Sequence, residues 1–398
     1  MQESNLLSLS YGRIVRKDVN SNEGLLPESF ETYQVVQGGD IVLRLTDLQN
    51  DKRSLRSAQV RERGIITSAY LAIQPKNALS EFLAYLLRAY DLTKVFYSMG
   101  GGLRQSMKFS DLKRMPIVVP PRSEQVAIVA FLDRETAKID ALIAEQEKLI
   151  ALLEEKRQAT ISHAVTKGLN PHASMNDSGV AWLGKVPAHW TVGKIQSFAK
   201  RESGHTPSRQ HPEYWENCTI PWFSLADVWQ IRSAGAKYVT ETKELVSKLG
   251  LANSSARLLP KGTVILSRTA SVGYSAIMGV DMATTQDFVN WVCKPDLLPE
   301  FLLSVLRGMR TEFNRLMMGS THQTIYMPDI AKLMMAKPPI EDQVEIVSFL
   351  DDVAGQLDEL SSAAESGIKL LKERRRALIA AAVTGQIDVR GEVGEVAA

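Results

Sequence analysis

One segment of the chain occurs twice. Residues 120–166 align without a gap with residues 338–384, at an offset of 218, and 22 of these 47 positions carry the same residue. Weaker similarity continues upstream, where Gly39-Asp40-Ile41-Val42-Leu43 resembles Gly262-Thr263-Val264-Ile265-Leu266. A repeat period above about 200 residues indicates duplicated domains rather than a solenoid. The sequence therefore predicts two copies of one unit, each a variable globular part followed by a better-kept segment.

Both better-kept segments are predicted to be long helices that pair with each other. A Pro-Pro pair stops the preceding strand, and apolar residues then recur at spacings of four and three, which is typical of a coiled-coil seam. The residues expected to pair the helices are Leu132, Ile139, Ile143, Ile150 and Leu153 in the first copy, and Leu350, Leu357, Ile368, Leu371 and Leu378 in the second. Gly367 is a candidate break, because an interior glycine costs about 1 kcal/mol relative to alanine. The alternative is that each helix packs only on its own globular half.

The globular parts show α/β patterning. Strands are predicted at 41–43, 65–73 and 264–266, and helices at 80–90 and 299–313. The predicted domains are a first globular domain over 1–119, a first helix over 120–166, a linker and lead-in segment over 167–190, a second globular domain over 191–337, a second helix over 338–386, and a tail over 387–398.

The two globular domains differ in length at their N-terminal side. From Gly39 to Pro120 the first unit spans 81 residues, and from Gly262 to Pro338 the second spans 76. Upstream, 38 residues precede Gly39, whereas 71 separate Trp190 from Gly262. The first domain is therefore expected to be shortened at its N-terminus. A truncated allele, a misplaced start and a compact variant all fit this difference.

Positive charge is concentrated in the globular domains. The net charge of the whole chain is +2, but residues 1–119 carry +4 and residues 191–337 carry +5, while residues 338–398 carry −6. This segregation is expected if the globular domains meet phosphates and the helices do not. A basic excess of this size also occurs in proteins that bind no nucleic acid.

Basic residues cluster with side chains that can read bases. Arg, Gln and Thr suit base edges, whereas Lys, Ser and Tyr suit phosphates. The candidate DNA-binding residues are Arg44, Lys52, Arg53, Arg56, Arg104, Gln105 and Lys108 in the first domain, and Arg268, Thr269, Ser271, Tyr274, His322 and Gln323 in the second. For each of them, a solvated surface side chain is the alternative interpretation.

No catalytic motif accompanies these clusters. The sequence has no phosphate-binding loop that ends in Gly-Lys-Ser/Thr, no dinucleotide fingerprint and no adenine-methylation motif. His205, His211 and Cys218 have spacings that fit no common zinc pattern. The two cysteines exclude a disulfide framework and suit a reducing cytoplasm, and no apolar run is long enough to span a membrane. The chain is therefore expected to have no catalytic residues and no metal or cofactor of its own.

The repeated residues resemble those of one known family. Each copy reads Pro-Pro-x-x-(Glu/Asp)-Gln-x-x-Ile-Val-x-Phe-Leu-Asp, continues to Glu-Lys-Arg or Glu-Arg-Arg, and ends in Ala-Val-Thr. The run from Gly179 to Trp190, Ile220-Pro221-Trp222, and Arg268 with the turn Ser271-Val272-Gly273 resemble the same family. On these motifs the chain resembles the DNA-specificity (S) subunit of type I restriction–modification systems, over nearly its whole length.

The resemblance implies an architecture and a role. Two globular target-recognition domains would be separated by two long helices, packed as an antiparallel coiled coil with a pseudo-twofold repeat, and each domain would read one part of a split site in double-stranded DNA. Two modification subunits would supply S-adenosylmethionine and adenine N6 methylation, and restriction subunits would add ATP- and magnesium-dependent cleavage. The alternatives are a coiled-coil protein-interaction scaffold without a DNA role, a truncated and inactive S-subunit allele, and a self-contained enzyme.

Overall fold

The chain folds into two compact units. The computed structural model describes residues 5–17, 30–48, 55–99, 106–232, 235–317 and 323–391. One unit comprises residues 1–148 and 363–398, and the other comprises residues 149–362. Each unit therefore holds one α/β lobe and a stretch of both long helices, and the predicted α/β class is confirmed. The predicted boundaries, which set the helices apart as separate segments, stay a prediction.

The described residues of the first lobe form short strands and three helices. Its strands are β1 (Leu7–Ser10), β2 (Arg13–Arg16), β3 (Gln34–Val36), β4 (Ile41–Leu43), β5 (Ser57–Gln59), β6 (Gly64–Ile66) and β7 (Leu71–Ile73), and its helices are α1 (Ser80–Leu92), α2 (Val95–Met99) and α3 (Phe109–Leu112). The strand predicted over 65–73 is thus two strands, β6 and β7, separated by a turn.

Each lobe is followed in the sequence by one long helix. These helices are α4 (Arg122–Lys167), of 46 residues, and α11 (Ile340–Val383), of 44 residues. α11 runs through Gly367 without a break.

The second lobe lies between the long helices in sequence and has more strands than the described part of the first lobe. They are β8 (Met175–Asp177), β9 (Lys185–Pro187), β10 (Thr191–Lys194), β11 (Ala199–Ser203), β12 (Ile220–Phe223), β13 (Tyr238–Val239), β14 (Glu244–Val246), β15 (Val264–Ser267), β16 (Ser275–Met278), β17 (Ala283–Thr284), β18 (Phe288–Cys293) and β19 (Met334–Lys337). The α-helices are α5 (Ile195–Phe198), α6 (Trp229–Arg232), α7 (Lys248–Ala252), α8 (Pro299–Gly308), α9 (Arg310–Leu316) and α10 (Met327–Ile330).

The central strands of the two lobes share one pairing register. In the first lobe β4 lies between β5 and β7, and Ile41 pairs with Gln59 and Ile73. In the second lobe β15 lies between β16 and β18, and Val264 pairs with the residues 218 positions after those two partners. The duplication read from the sequence is therefore a duplication of the sheet as well. The second sheet is wider, because β11 and β13 add to its edges.

The segment predicted as a linker is part of the second lobe. β8 and β9 form a hairpin within residues 167–190, and Leu183, Val186 and Trp190 are buried in the main core of that lobe. The Trp182 indole N–H also donates to the carbonyl of Met334 at 3.1 Å. Glycine, proline and asparagine make this stretch look like a linker in sequence, whereas its few large apolar side chains anchor it.

An apolar seam runs along both long helices. Every predicted pairing residue is buried or half-buried, including Leu132, Ile139 and Leu153 on α4 and Leu350 and Leu357 on α11. Leucines outside the seam are exposed: Leu142, Leu149, Leu152, Leu360 and Leu370. Burial thus follows the spacing of four and three, which is the pattern expected when each helix buries one stripe against a neighbour.

The helices run antiparallel within each unit and are joined by equivalent ion pairs. In the first unit, the Arg375 guanidinium donates to both carboxylate oxygens of Asp140, at 2.8 and 3.1 Å. In the second unit, Arg157 forms the same ion pair with Asp358. Asp358 and Arg375 lie 218 positions after Asp140 and Arg157, so one duplicated pair of residues makes both contacts. The predicted antiparallel packing of the two helices is confirmed.

A buried glutamine joins each lobe to a long helix. The Gln125 side chain accepts from the Leu79 N–H at 2.7 Å, just before α1, and donates to the Pro120 carbonyl. Gln343 repeats this arrangement: it accepts from the Leu298 N–H at 2.8 Å, just before α8, and donates to the carbonyls of Pro338 and Asp296. Because Gln125 and Gln343 are both buried, these bonds form away from water, which explains a glutamine at this position of both repeats.

Replacing Gln343 tests this joint, by which we mean the hydrogen bonds through which the glutamine connects the lobe to the long helix. Gln343→Ala leaves a buried N–H and two carbonyls without the amide, so we expect a loss of about 2–3 kcal/mol in the free energy of unfolding. Urea denaturation followed by circular dichroism measures it. Gln356→Ala, at an exposed position of the same helix, is the matched control and should change stability by less than about 0.5 kcal/mol. Equal effects of the two substitutions would contradict the proposed joint.

Candidate nucleic-acid interface

Two loops of the second lobe meet beside the end of β15. Arg268 and Thr269 follow β15, and Gln323 and Thr324 precede α10. The Ile325 N–H donates to the Arg268 carbonyl at 2.9 Å, and the Ala270 N–H donates to the Gln323 carbonyl at 3.0 Å. The fold therefore brings together two of the predicted clusters, which lie more than 50 residues apart in the sequence.

The first lobe repeats this junction. The Met107 N–H donates to the Leu45 carbonyl at 2.9 Å, which joins the loop after β4 to the loop before α3. Asp47 and Ala270 occupy matching positions in the two junctions, and both have a left-handed backbone, with φ of 55° and 60°. Non-glycine residues rarely adopt this conformation, so the same unusual turn is built twice. Arg44 and Lys108 lie on this junction.

Arg56 is held inside the first junction. Its side chain is fully buried, and its guanidinium donates to the carbonyls of Arg44, Thr46 and Asp47 at 3.3, 2.6 and 3.1 Å. The guanidinium also lies 5.6 Å from the centre of the Tyr97 ring. Arg56, predicted as a DNA-binding residue, thus shapes the loop from within, because its terminal nitrogens donate to the backbone and its Nε donates to the Tyr97 hydroxyl at 3.2 Å.

A cleft opens between the second lobe and the long helices of its unit. Its volume is about 580 Å³. The cationic side chains that line it are Arg157, Arg232, Lys237, Arg307 and Arg310, and the carboxylates are Glu154 and Asp351. Ser271, Tyr274 and Gln323, three of the predicted DNA-binding residues, also line it. The junction of the second lobe therefore borders a cleft with more basic than acidic side chains.

Ion pairs in this cleft join the lobe to the helices. Lys237 contacts Asp351 on α11 at 2.5 Å, and Arg310 lies 3.8 Å from Glu154 on α4. Arg307 is more deeply placed and donates to the carbonyl of Ala236 at 3.1 Å. Burial lowers the pKa of Arg307 from its ordinary value. Much of the positive charge of the cleft is therefore partnered.

Some predicted residues cannot be placed on these surfaces. Lys52, Arg53, Arg104, Gln105 and His322 lie outside the described residues. Among the residues that are described, no cluster of three histidines, cysteines or carboxylates could hold a metal ion. Within the same ranges, no helix is long and apolar enough to cross a membrane.

Sequence reasoning missed two side chains at the second junction. Gln286 and Thr206 lie on separate loops, and the Thr206 hydroxyl donates to the Gln286 amide oxygen at 2.8 Å. The Gln286 carbonyl in turn accepts from Arg268 Nε at 2.9 Å. A glutamine within a Thr-Thr-Gln-Asp run does not stand out in the sequence, because the hydrogen bond that holds its side chain comes from a residue 80 positions away.

The family of the chain follows from a match that covers most of it. The model of the family described as type I restriction modification DNA specificity domain matches residues 61–152 and 187–369. The chain belongs to this family. The resemblance to S subunits drawn from the repeated motifs is confirmed, and the two matched stretches each take in part of one lobe of this specificity-family protein.

Curated relatives of the specificity-family protein carry consistent names. The type I restriction enzyme MjaIX specificity subunit of Methanocaldococcus jannaschii is 28% identical over 176 residues, which are 43% of this chain and 40% of that protein. The type I restriction enzyme EcoR124I/EcoR124II specificity subunit of Escherichia coli is 25% identical over 284 residues, which are 68% of this chain and 62% of that protein. The matches span less than two thirds of the length of these relatives.

Solved structures share the fold. A chain from a structural study of complex assembly and conformational transition of a type I restriction–modification system superposes with a TM-score of 0.69 at 19% identity, over 90% of this chain and 85% of that one. The HsdS subunit from Thermoanaerobacter tengcongensis gives a TM-score of 0.53 at 18% identity, over 96% and 89%. At this level of identity the likeness establishes the fold of the specificity-family protein.

The internal role of Arg56 predicts a stability effect. Arg56→Met removes donors from three carbonyls of the first junction, and we expect a loss of about 3 kcal/mol in the free energy of unfolding. Denaturant titration of the specificity-family protein measures it. Arg61→Met, at an exposed position of the same lobe, should cost less than about 0.5 kcal/mol. A similarly small loss for Arg56→Met would contradict its role inside the loop.

Proposed function

We propose that this specificity-family protein is the DNA-recognition subunit of a type I restriction–modification complex. The observation that carries the proposal is the junction built twice, once in each duplicated lobe, with the same backbone bond and the same left-handed turn. Two such lobes suit double-stranded DNA whose target is split into two parts, because a repeated protein surface matches repeated half-sites. Each lobe would read one half.

The long helices would set the distance between the half-sites. Their antiparallel pairing rests on an apolar seam and two equivalent ion pairs, Asp140 with Arg375 and Arg157 with Asp358. A helix rises about 1.5 Å per residue, so the number of residues in the paired stretch fixes a length. In this proposal the helices act as a ruler, and the predicted pairing residues define it.

Partner subunits would supply the chemistry. The described residues include no cluster that could hold a metal ion, and no catalytic motif occurs in the sequence. We infer that two modification subunits bind S-adenosylmethionine and methylate adenine N6, and that restriction subunits add cleavage driven by ATP with magnesium. This chain would direct them to the target in the cytoplasm.

A salt titration separates a DNA reader from a protein scaffold. If the complex with the methyltransferase partner contacts about six phosphates, the logarithm of its binding constant should fall against the logarithm of the salt concentration with a slope of about −5. Fluorescence anisotropy with a duplex that carries the genomic target measures it. That target comes from mapping N6-methyladenine in cells with and without the chain. No DNA retention at low salt would favour the scaffold or an inactive S-subunit allele.

Lengthening both helices tests the ruler. Seven residues inserted after Gln146 and seven after Ala364, which is 218 positions later, keep the seam in phase and add about 10 Å to each helix. We expect the same two half-sites with about three more base pairs between them, read by N6-methyladenine mapping. The same seven residues appended after Ala398 are the control. An unchanged gap in the lengthened protein would rule out the ruler.

A further inference from the structure

Gln286 lies in the loop between β17 and β18, and two other loops of the second lobe contact it. Its main-chain carbonyl accepts from Arg268 Nε at 2.9 Å, and its side-chain oxygen accepts from the Thr206 hydroxyl at 2.8 Å. Gln286 itself is exposed, whereas Arg268 and Thr206 are half-buried. One exposed residue is thus tied to the loop after β15 and to the loop after β11. This arrangement lies at the edge of the junction described above.

The position of Thr206 depends on a close approach of two backbones. The His205 N–H donates to the Thr284 carbonyl at 3.0 Å, just before Gln286 in the chain. A Cβ added to Gly204 would lie 2.2 Å from the Thr285 carbonyl oxygen and 2.3 Å from that of Thr284. Glycine at 204 is therefore required for the loop to sit where Thr206 reaches Gln286.

These contacts leave hydrogen-bond donors of Gln286 and Arg268 without an acceptor among the described residues. The Gln286 amide oxygen is used by Thr206, so the amide presents its NH₂ donors. Arg268 uses Nε for the Gln286 carbonyl, and its two terminal nitrogens donate to no acceptor among the described residues, so they remain available as donors. The nearby Asp287 carboxylate accepts from the Thr285 hydroxyl at 3.0 Å, within its own turn. Arg268 and Gln286 together therefore form an edge of hydrogen-bond donors.

At the two matching positions, both among the described residues, the first lobe carries neither an arginine nor a glutamine. The shared strand register places Leu45 where the second lobe has Arg268, and Ser68 where it has Gln286. Leu45 is buried and cannot donate from its side chain. The Thr turn itself is kept, because the Ala69 N–H donates to the Thr67 hydroxyl at 3.3 Å, as the Asp287 N–H does to Thr285. The lobes thus share a frame and differ in the groups mounted on it.

We propose that Gln286 and Arg268 form a donor edge, specific to the second lobe, that binds hydrogen-bond acceptors of DNA, with Thr206 as the positioning residue that orients the Gln286 amide. Guanine O6 and N7 in the major groove and phosphate oxygens both offer acceptors to such an edge. The inference rests on the proposed function, since it assigns residues within one DNA-reading lobe. It adds Gln286 and Thr206 to the residues expected from sequence.

The test uses the full chain in complex with its methyltransferase partner, and a duplex that carries the target found by N6-methyladenine mapping. Gln286→Glu replaces the NH₂ donors by a carboxylate and should weaken binding at least tenfold, because a negative acceptor then faces the DNA acceptor that the amide would contact. Thr206→Val keeps the shape but frees the amide, and should weaken binding about threefold. Gln356→Glu, the same charge change on the exposed side of α11, is the matched control.

Modified DNA identifies the acceptor. A 7-deazaguanine or a methylphosphonate is placed at each position of the second half-site in turn, which removes guanine N7 or a phosphate charge. One such substitution should weaken the unaltered protein about tenfold and should not weaken Gln286→Glu further. We call a DNA substitution coupled when it weakens the unaltered protein but not Gln286→Glu. A coupled 7-deazaguanine would show that the edge binds a guanine, and a coupled methylphosphonate would show that it binds the DNA phosphate backbone. Either result supports the donor edge.

Other outcomes overturn the proposal. The proposal fails if Gln286→Glu binds within twofold of the unaltered protein. It also fails if every DNA substitution in the second half-site weakens Gln286→Glu by the same factor as the unaltered protein, because the edge then contacts none of these positions. Coupled DNA substitutions that all lie in the first half-site would also contradict the proposal. If Gln286→Glu does not fold, as judged by its melting curve, Gln286→Ala takes its place in the same measurements. A lack of sequence-selective binding by the unaltered protein would instead reject the proposed function, and the donor edge with it.

Discussion

The packing of two long helices along a shared apolar seam is the constraint on which the rest of the structure depends. Neither helix could remain extended alone, because a single helix with an apolar stripe needs a neighbour to remove that stripe from water. Polar residues dilute the seam, and the ion pairs of Arg157 and Arg375 fall on it at equivalent positions. An ion pair at a partly buried position fixes which residues face each other, whereas apolar contacts alone tolerate slippage. Register, and with it any length encoded in the helices, follows from these pairs.

The lobes are tied to this frame by buried polar contacts. Gln125 and Gln343 each accept from the N–H that precedes a lobe helix and donate to a carbonyl at the start of a long helix. A buried hydrogen bond that is not formed costs free energy, so the orientation of the helix within each unit depends on hydrogen-bond geometry as well as on the apolar surface that is buried. In the proposed function, this kind of joint would hold the DNA-facing surface of each lobe in a defined orientation to the long helices. In the first lobe, Arg56 extends the same principle to a loop.

The two junctions share a backbone arrangement and differ in their side chains. Both keep the strand register, the left-handed residue and the bond between loops, which are properties of the backbone. The side chains mounted on that backbone differ: Arg268 and Gln286 in one lobe correspond to Leu45 and Ser68 in the other. In the proposed function, the bases that each lobe contacts can therefore differ while the strand frame is kept, because base edges are read mainly by side chains.

The sequence by itself determined the duplication, the seam and the family, because identical residues at a fixed offset and apolar residues at helical spacing are local signals. It also predicted Arg268 and Gln323 as DNA-binding residues, because their residue types suit DNA. Only the tertiary structure decided that Arg56 lies inside its loop, that 167–190 belongs to the second lobe, and that Thr206 donates to Gln286. Each of these depends on groups far apart in the chain, such as the carbonyls around Arg56 or the β11 loop beside Gln286. Burial and hydrogen-bond partners arise from the folded backbone, and no spacing along the sequence encodes them.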